Sequence, residues 1–596
     1  MKHATFDIET NAINDWSTLS DLETVHCMVV KDSEGIHRYQ NHNMSEGLTR
    51  LSSSECLVAH NGIGFDLPAL KKLYGFGHPR IIDTVVLARL CHPDLKNEDY
   101  RRPNFRRNLI GSHSLEAWGE RIGVHKDSHG KTEDWSKYSE EMEEYCVQDV
   151  VVNENLFNHF VSEGFSMQAC WLEMDFAKAI RQQEHNGFPF NLFAADALTA
   201  VLVSKRAELQ DELHKVFPPD VIETKTHWWE NRAGQKFPTK KAMIEVGYKP
   251  KDCIKGEVKT KEIPFNPNSR DQIAQRLMAN GWKPKEYEGK RPAINEAVLK
   301  DINTEQSLKL LDYLLISKRL GQISEGAQAW TKMVKRGRIH SRLNTNGAVS
   351  GRTTSSHPNL QQIPAVGSEY GAECRACFTP PPGKVLVGAD AAGLELRMLA
   401  SYLHPIDDGS YTKELLEGDI HTANQLAAGL PDRAAAKRFI YSFLYGGGDS
   451  LVGSVVGGTS RDGKRIKEEF LSKMPAMATL TKAVQTKVKN YGFLKGLDGR
   501  SLPSRSPHSA LNLLLQSAGS ICTKQAVVLF TEKMQGKDYQ LHAYVHDEVQ
   551  FSCDPENAEE FGQVFVDCIK RAGEILNVKC PLDGEYKVGK NWAETH

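Results

Sequence analysis

Two stretches far apart in the chain set carboxylates among apolar residues. Tyr544-Val545-His546-Asp547-Glu548-Val549-Gln550 alternates as a half-buried strand does, with two adjacent acids at its centre. Val385-Leu386-Val387-Gly388-Ala389-Asp390 reads as a buried strand ending in an acid, and Ala391-Ala392-Gly393-Leu394-Glu395-Leu396-Arg397 turns from it into a helix. Ionised neighbours in a partly buried site repel one another and lose hydration, so a metal cation is the simplest way to keep them charged. If the two strands are neighbours, Asp390 and Asp547 face each other across a site able to hold two Mg²⁺ ions for an in-line phosphoryl displacement. Each half alone has a plainer reading, since an Asp-Glu pair is more often a solvated edge or ion pair and an Asp closing a strand is often a helix cap.

A second acidic set lies near the N-terminus. In Thr5-Phe6-Asp7-Ile8-Glu9-Thr10 the two acids point to one face of a strand, Asp66 opens an apolar helical pattern, and Tyr145 and Asp149 share a helix face. Same-face acids point to metal ligation. Between the two sets lies Asp432-Arg433 through Tyr445, in which Arg433, Lys437, Tyr441 and Tyr445 recur every fourth residue along one helix face, with Pro431 expected in the first turn and Gly446-Gly447-Gly448 ending the helix. Cations near the N-terminal end followed by aromatics make a surface for a triphosphate, then a sugar and base. A generic amphipathic helix explains that spacing equally well. Asn512 and Gln516, four apart on an otherwise apolar helix, must find hydrogen bonds.

The stretches Gly388-x-Asp390-x-x-Gly393-Leu394-Glu395-Leu396-Arg397 and Val545-His546-Asp547-Glu548 resemble motifs A and C of the family A DNA polymerases, closest in wording to the replicative polymerases of T-odd short-tailed phages. Asn344 through Arg352, Asn359 through Pro364, the Arg433 to Tyr445 helix and Lys590-Asn591-Trp592 extend the resemblance. Asp7, Glu9, Asp66, Tyr145 and Asp149 in that order resemble the DEDDy class of 3′→5′ exonucleases, in which four carboxylates hold two metals and the tyrosine helps position the attacking water.

The resemblance implies a multi-domain α/β protein: an RNase H-like exonuclease domain over 1–165, thumb and connecting helices over 166–330, palm over 331–401, fingers over 402–511 and palm again over 512–596. It implies Asp390, Asp547 and the Ala391 carbonyl as ligands for two Mg²⁺ ions, with Mn²⁺ as an alternative, and Glu548 close by in the catalytic set. Asp7, Glu9, Asp66 and Asp149 would hold two more. Arg433, Lys437 and His421 would bind the triphosphate of a dNTP. Arg352, His546, Asn512 and Gln516 would meet primer-template DNA, the last two in the minor groove. Glu395 would exclude a ribose 2′-hydroxyl, with Tyr441 packed against it.

Composition bounds the rest. The 596 residues are 40% hydrophobic and 25% charged, several ordinary globular domains, and the net charge of −2 carries no basic signature, so nucleic-acid binding must come from local charge. Twelve cysteines without a pairing framework point to a reduced compartment, the cytoplasm of a bacterial host under the resemblance. Cys374-x-x-Cys377 lacks a second ligand pair for zinc and reads as strand packing. No run reads as a membrane span and no repeat is visible. With the acidic strand already at residues 5–10, the resemblance leads to the expectation of no preceding 5′-nuclease domain, as in a replicative phage enzyme and unlike a repair polymerase.

Residues 218–264 break the helical pattern of their surroundings with Trp228-Trp229 and a run of lysines, a segment able to hold backbone phosphates or a partner. T-odd phage polymerases carry a thumb insertion here that recruits host thioredoxin as a processivity factor; this segment is shorter and its contacts do not align. The resemblance also implies a replicative helicase-primase partner.

Overall fold

The computed structural model describes residues 2–11, 19–124 and 136–596. It forms two compact units, Met1–Asn191 with Met333–His596, and Leu192–Lys332.

The first unit holds two large sheets beside smaller ones. The N-terminal one has five strands in the order Gly35–Gln40, Val25–Asp32, His3–Thr10, Cys56–Ala59 and Ile81–Asp83; the first three are antiparallel and the last two join in parallel. Along His3–Thr10 the apolar Phe6 and Ile8 are buried while Asp7 and Glu9 keep partial exposure on the opposite face, as a two-residue period requires. Helix Glu140–Glu163 packs on this strand and on Val25–Asp32 through Cys146 and Val150. Its start is well specified: Ser139 accepts a hydrogen bond from the Met142 N–H at 3.1 Å, and Glu140, Glu141 and Glu143 sit where the helix dipole favours negative charge.

The second sheet is fully antiparallel, in the order Tyr539–Val545, Glu548–Cys553, Val385–Ala391 and Gly584–Gly589. The acidic stretch expected as one strand is a hairpin. Val545 pairs with Glu548, so His546 and Asp547 form a two-residue turn, and His546 has φ +60°. Such turns need a left-handed residue, and alternation across the turn mimics the alternation of a continuous strand. Helices Ala558–Ile575, Ala510–Lys533 and Met167–Asn186 cover the sheet. Phe530 meets Tyr539, Phe551 and Phe565 with ring centroids 5.4, 5.0 and 5.3 Å apart.

Three expectations change here. Met167–Asn186, read with the helices that follow it, belongs to the first unit, where it packs on Ala510–Lys533 and on strand Tyr539–Val545. Cys374 lies on helix Gly371–Ala376 and Cys377 caps it, both buried, so they pack a helix and not a strand. The segment Pro507–Lys533 is long and apolar enough to cross a membrane by composition, but 78% of its apolar window is buried inside the protein, as in a core helix.

The second unit pairs helices Leu192–Val216 and Glu305–Leu320 around a core that includes Leu213, Phe217, Phe265, Ile273, Leu310 and Tyr313. From it projects a three-stranded antiparallel ribbon, in the order Lys236–Phe237, Asp220–Glu230 and Ile254–Ile263.

Candidate active sites

Antiparallel pairing sets Asp390 opposite Glu548, and the Ala391 N–H donates to the Asp547 carbonyl at 3.3 Å. The strand end and the hairpin turn therefore bring Asp390 and Asp547 to one place. Burial, then repulsion from Asp547 and Glu548, pushes the Asp390 carboxyl well above the usual carboxylate range; burial and Glu395 push Asp547 up as well. Asp390 Oδ1 is buried with no hydrogen-bond partner. An orphaned carboxylate oxygen beside a second acid fits a divalent cation.

Glu548 behaves differently. It accepts from Trp592 Nε1 at 2.6 Å and Gln550 Nε2 at 2.7 Å, meets His596 Nδ1 at 2.9 Å and lies 3.8 Å from Arg375. Burial opposes its charge, but the His596 and Arg375 contacts and the Trp592 hydrogen bond hold its pKa down. Its carboxylate is taken up by these partners, although the strand register sets it opposite Asp390.

Helix Arg433–Leu444 starts at Asp432, whose side chain accepts the Ala435 N–H at 2.7 Å, so Pro431 precedes the cap and does not occupy the first turn. Arg433 Nε donates to Asp419 at 2.7 Å, and Asp419 also caps the helix that carries His421. Burial, then Arg433 and Lys437, lowers the His421 pKa, which places all three in one cationic patch. Further along, the Tyr441 and Tyr445 rings stack with centroids 6.3 Å apart. The phenol that donates to Glu395 Oε1 is that of Tyr445, at 2.9 Å, not that of Tyr441; Arg352 lies 3.5 Å from the same oxygen. Burial raises the Tyr441 pKa, and so do the charges of Glu395 and Asp547.

Asn512 Nδ2 donates to the Tyr445 carbonyl at 3.5 Å, and Gln516 is half-buried one turn along the same helix. The His546 carbonyl accepts from Thr523 Oγ1 at 3.4 Å, and burial and Arg352 lower the His546 pKa. Motif residues from the strand end, the hairpin turn and several helices thus converge on one surface.

The N-terminal set also converges. Asp7, Glu9, Asp66, Tyr145 and Asp149 line one cavity of about 510 Å³ with His60, Asn61 and Phe65. Cys146 Sγ donates to Asp7 Oδ2 at 3.5 Å. Burial, then Asp83 and Asp149, raises the Asp66 pKa, and Asp66 Oδ1 is buried without a partner, so this set too fits a cation.

Several residues escaped the sequence reading. Asn61 and Phe65 flank Asp66 in the turn but carry no charge to mark them. Lys524, a cation in the apolar middle of its helix, was a visible signal. It is fully buried and donates to Glu173 at 2.6 Å and to the Thr345 carbonyl at 2.8 Å, while Arg500 meets the same Glu173 oxygen at 2.7 Å and Asp498 at 2.6 Å.

Residues 241–594 match the model of DNA polymerase family A. The chain is similar to a DNA-directed DNA polymerase of Escherichia phage T7, 36% identical with 99% of each chain covered, and to one of Enterobacteria phage T3, 35% identical with the same coverage. It is 24% identical to DNA polymerase I of Aquifex aeolicus over 92% of this chain and 90% of that one. In fold it resembles the POL domain of Pol1 from M. smegmatis, solved with DNA primer-template and dNTP, with a TM-score of 0.74 at 16% identity over 99% of this chain and 96% of the other. With acids, cationic patch and stacked tyrosines converging on one surface, and matches over nearly the full length of both phage polymerases, this chain belongs to DNA polymerase family A.

Proposed function

We propose that this protein is a replicative DNA polymerase that extends a primer 3′ end from dNTPs under template direction and removes misincorporated nucleotides with a 3′→5′ exonuclease, in the copying of a phage genome. The observation that carries the reading is the convergence of Asp390 and Asp547 on the surface that bears Arg433, Lys437, Tyr441 and Tyr445. The second sheet and its helices would be the palm, the Arg433 helix part of the fingers, the Leu192–Lys332 unit the thumb, and the five-stranded sheet an RNase H-like exonuclease domain.

Asp390, Asp547 and the Ala391 carbonyl would hold two divalent cations, Mg²⁺ or in its place Mn²⁺, and Asp7, Glu9, Asp66 and Asp149 would hold another two. Such ions, when bound, lower the pKa of the attacking oxygen and offset charge on the leaving one. The protein's own groups do the rest. Arg433, Lys437 and His421 neutralise the triphosphate, Arg433 exchanging Asp419 for a phosphate. Tyr441 and Glu395 face the sugar, and Asn512 and Gln516 read acceptors common to all base pairs. Tyr145 orients water at the exonuclease carboxylates. A processivity partner at 218–264 and a helicase-primase belong to the same reading.

The two activities should be separable, because their acids lie on different sheets. Asp547→Ala should abolish primer extension and spare degradation of a primer 3′ end, and Asp7→Ala with Glu9→Ala should do the reverse. Loss of both activities in the folded Asp7/Glu9 variant would sink the assignment.

A further inference from the structure

Helix Glu140–Glu163 carries Tyr145 and Asp149 in its first half and a second set of ligand-type side chains at its end. At a rise of about 1.5 Å per residue, Asp149 and Glu163 are about 20 Å apart along the axis, so the second set is separate from the acidic cavity. It comprises His159 and Glu163, four apart on one helix face, and His92, which caps helix Thr84–Cys91. One ligand atom from each of the three lies within 4.8 Å of the other two.

The bonding at His92 separates this set from an ordinary surface ion pair. His92 Nδ1 lies 2.9 Å from Glu98 Oε2, and because an ionised carboxylate only accepts, that nitrogen carries the hydrogen. The other nitrogen of a neutral ring then holds a lone pair, and it faces Glu163 Oε2 at 3.0 Å. Glu163 Oε1 lies 3.2 Å from His159 Nε2. Two facing acceptors need a second proton on the ring or a cation between them. Three further features favour the cation. Glu163 ends its helix, where the dipole disfavours an acid, and no basic residue stands in that last turn. An imidazole that gives its other N–H to a carboxylate is the usual arrangement of a metal-bound histidine. Tetrahedral ligands at about 2.0–2.1 Å from zinc stand about 3.3 Å from one another, close to both N···O separations. Trp118 backs both rings, with centroids 5.2 Å from His92 and 6.4 Å from His159. The His159 and Glu163 side chains are 35% and 39% exposed, which leaves a face for an ion and a water to enter.

We propose that His92, His159 and Glu163 bind one Zn²⁺, with Glu98 orienting His92 from behind and water as the fourth ligand. Two imidazoles with one carboxylate suit zinc, whereas Mg²⁺ takes oxygen ligands. The ion would tie the end of the helix that carries Tyr145 and Asp149 to helix Thr84–Cys91, as a clamp and not as a centre for chemistry.

The full chain, stripped of metal with a chelator, is titrated with Co²⁺ at pH 8, where an ordinary imidazole is neutral, beside His159→Gln, Glu98→Gln and the double variant Asp7→Ala with Glu9→Ala. Four-coordinate Co²⁺ on nitrogen ligands absorbs visible light far more strongly than six-coordinate Co²⁺ on carboxylates, so the signal separates this site from the acidic ones. Wild type and the Asp7/Glu9 variant should develop an intense band with one equivalent, and added Zn²⁺ should remove it by displacement. His159→Gln should lose the band, and Glu98→Gln should weaken Zn²⁺ binding by about tenfold to a hundredfold. Zn²⁺ should also raise the thermal unfolding midpoint of wild type and not that of His159→Gln. His159 is partly exposed, so its replacement should leave the metal-free midpoint near that of wild type. A wild type without the band would make the set an ion-pair network with a doubly protonated His92 and overturn the proposal. A band and a zinc shift kept in His159→Gln, or lost in the Asp7/Glu9 variant instead, would place the ion at the carboxylates and overturn it too.

Discussion

Glu395 is a carboxylate shared between neighbours. Tyr445 donates to it at 2.9 Å and Arg352 lies 3.5 Å away, so its position is fixed from two other elements. If it excludes a ribose 2′-hydroxyl, its grip should matter as much as its presence. Glu395→Ala should relax rejection of ribonucleotides by about tenfold to a hundredfold, the worth of one to two hydrogen bonds in a closed site. Tyr445→Phe should relax it less, because Arg352 still holds the acid; equal effects would mean that the phenol acts alone. Tyr441 keeps a separate part. If, as proposed, its phenol bonds where a 3′-hydroxyl would reach, the wild type should accept dideoxynucleotides readily, and Tyr441→Phe should raise discrimination against them by about tenfold or more. Competition between dNTP and ddNTP on one primer measures both. At this scale the acids and the stripe of the Arg433 helix were legible, because same-face spacing and the family resemblance point to the same residues. Which tyrosine reaches Glu395 was not: two phenols one turn apart differ only in where the helix lies against its neighbours.

Elements are held in place by groups whose partners the sequence does not mark. Lys524 and Arg500 face Glu173 and Asp498 in a buried cluster that ties helix Ala510–Lys533 to helix Met167–Asn186 and to the Thr345 carbonyl. Removing one member of such a set strands a buried charge. Lys524→Met should cost about 3–5 kcal/mol, and the double variant Lys524→Met with Glu173→Gln should cost less than the single one, as a denaturant titration would read. Glu184 supplies a pH-dependent counterpart. Burial raises its pKa from 4.5 to about 7 in the folded protein, so the fold holds this proton more tightly than the unfolded chain does. The stability it contributes is full below pH 4.5 and is lost as pH rises through about 7. Glu184→Gln should abolish that loss, by up to about 3 kcal/mol at pH 8, and leave stability at pH 4 little changed. Identical pH profiles for the two proteins would place the group elsewhere. The sequence showed elements by their periodicity, but alternation carried across the two-residue turn hid the hairpin at His546-Asp547, and the burial of Lys524 depends on Glu173 and Thr345, 351 and 179 residues away, which no local pattern records.

Taken whole, the molecule carries one appendage that its cores do not need. Phe217 and Phe265 meet as tilted rings with centroids 4.8 Å apart at the base of the ribbon, and Asp220 pairs with Ile263 just above them. The chain thus leaves the second unit and returns to it at one point, and residues 218–264 can be excised across a short gap without opening the Leu213 and Phe217 core. The ribbon presents Trp228 and Trp229, each covered by a lysine, Lys259 at 4.8 Å and Lys240 at 5.2 Å. Val221 and Ile222 on the same hairpin are 63% and 44% exposed. Cations over aromatics beside exposed aliphatics make a surface for a nucleic-acid backbone or a partner, not a surface for chemistry. A module that only raises the local concentration of DNA lengthens each binding event and leaves the chemical step alone. Replacement of 218–264 by a short Gly-Ser linker should therefore shorten the products made in a single encounter, trapped with excess unlabelled DNA, by several-fold more than it slows addition of one nucleotide. Alanine at Trp228 and Trp229 should reproduce part of that loss. Unchanged product lengths in the excised protein, with its thermal unfolding intact, would show that the ribbon does not hold DNA or a clamp.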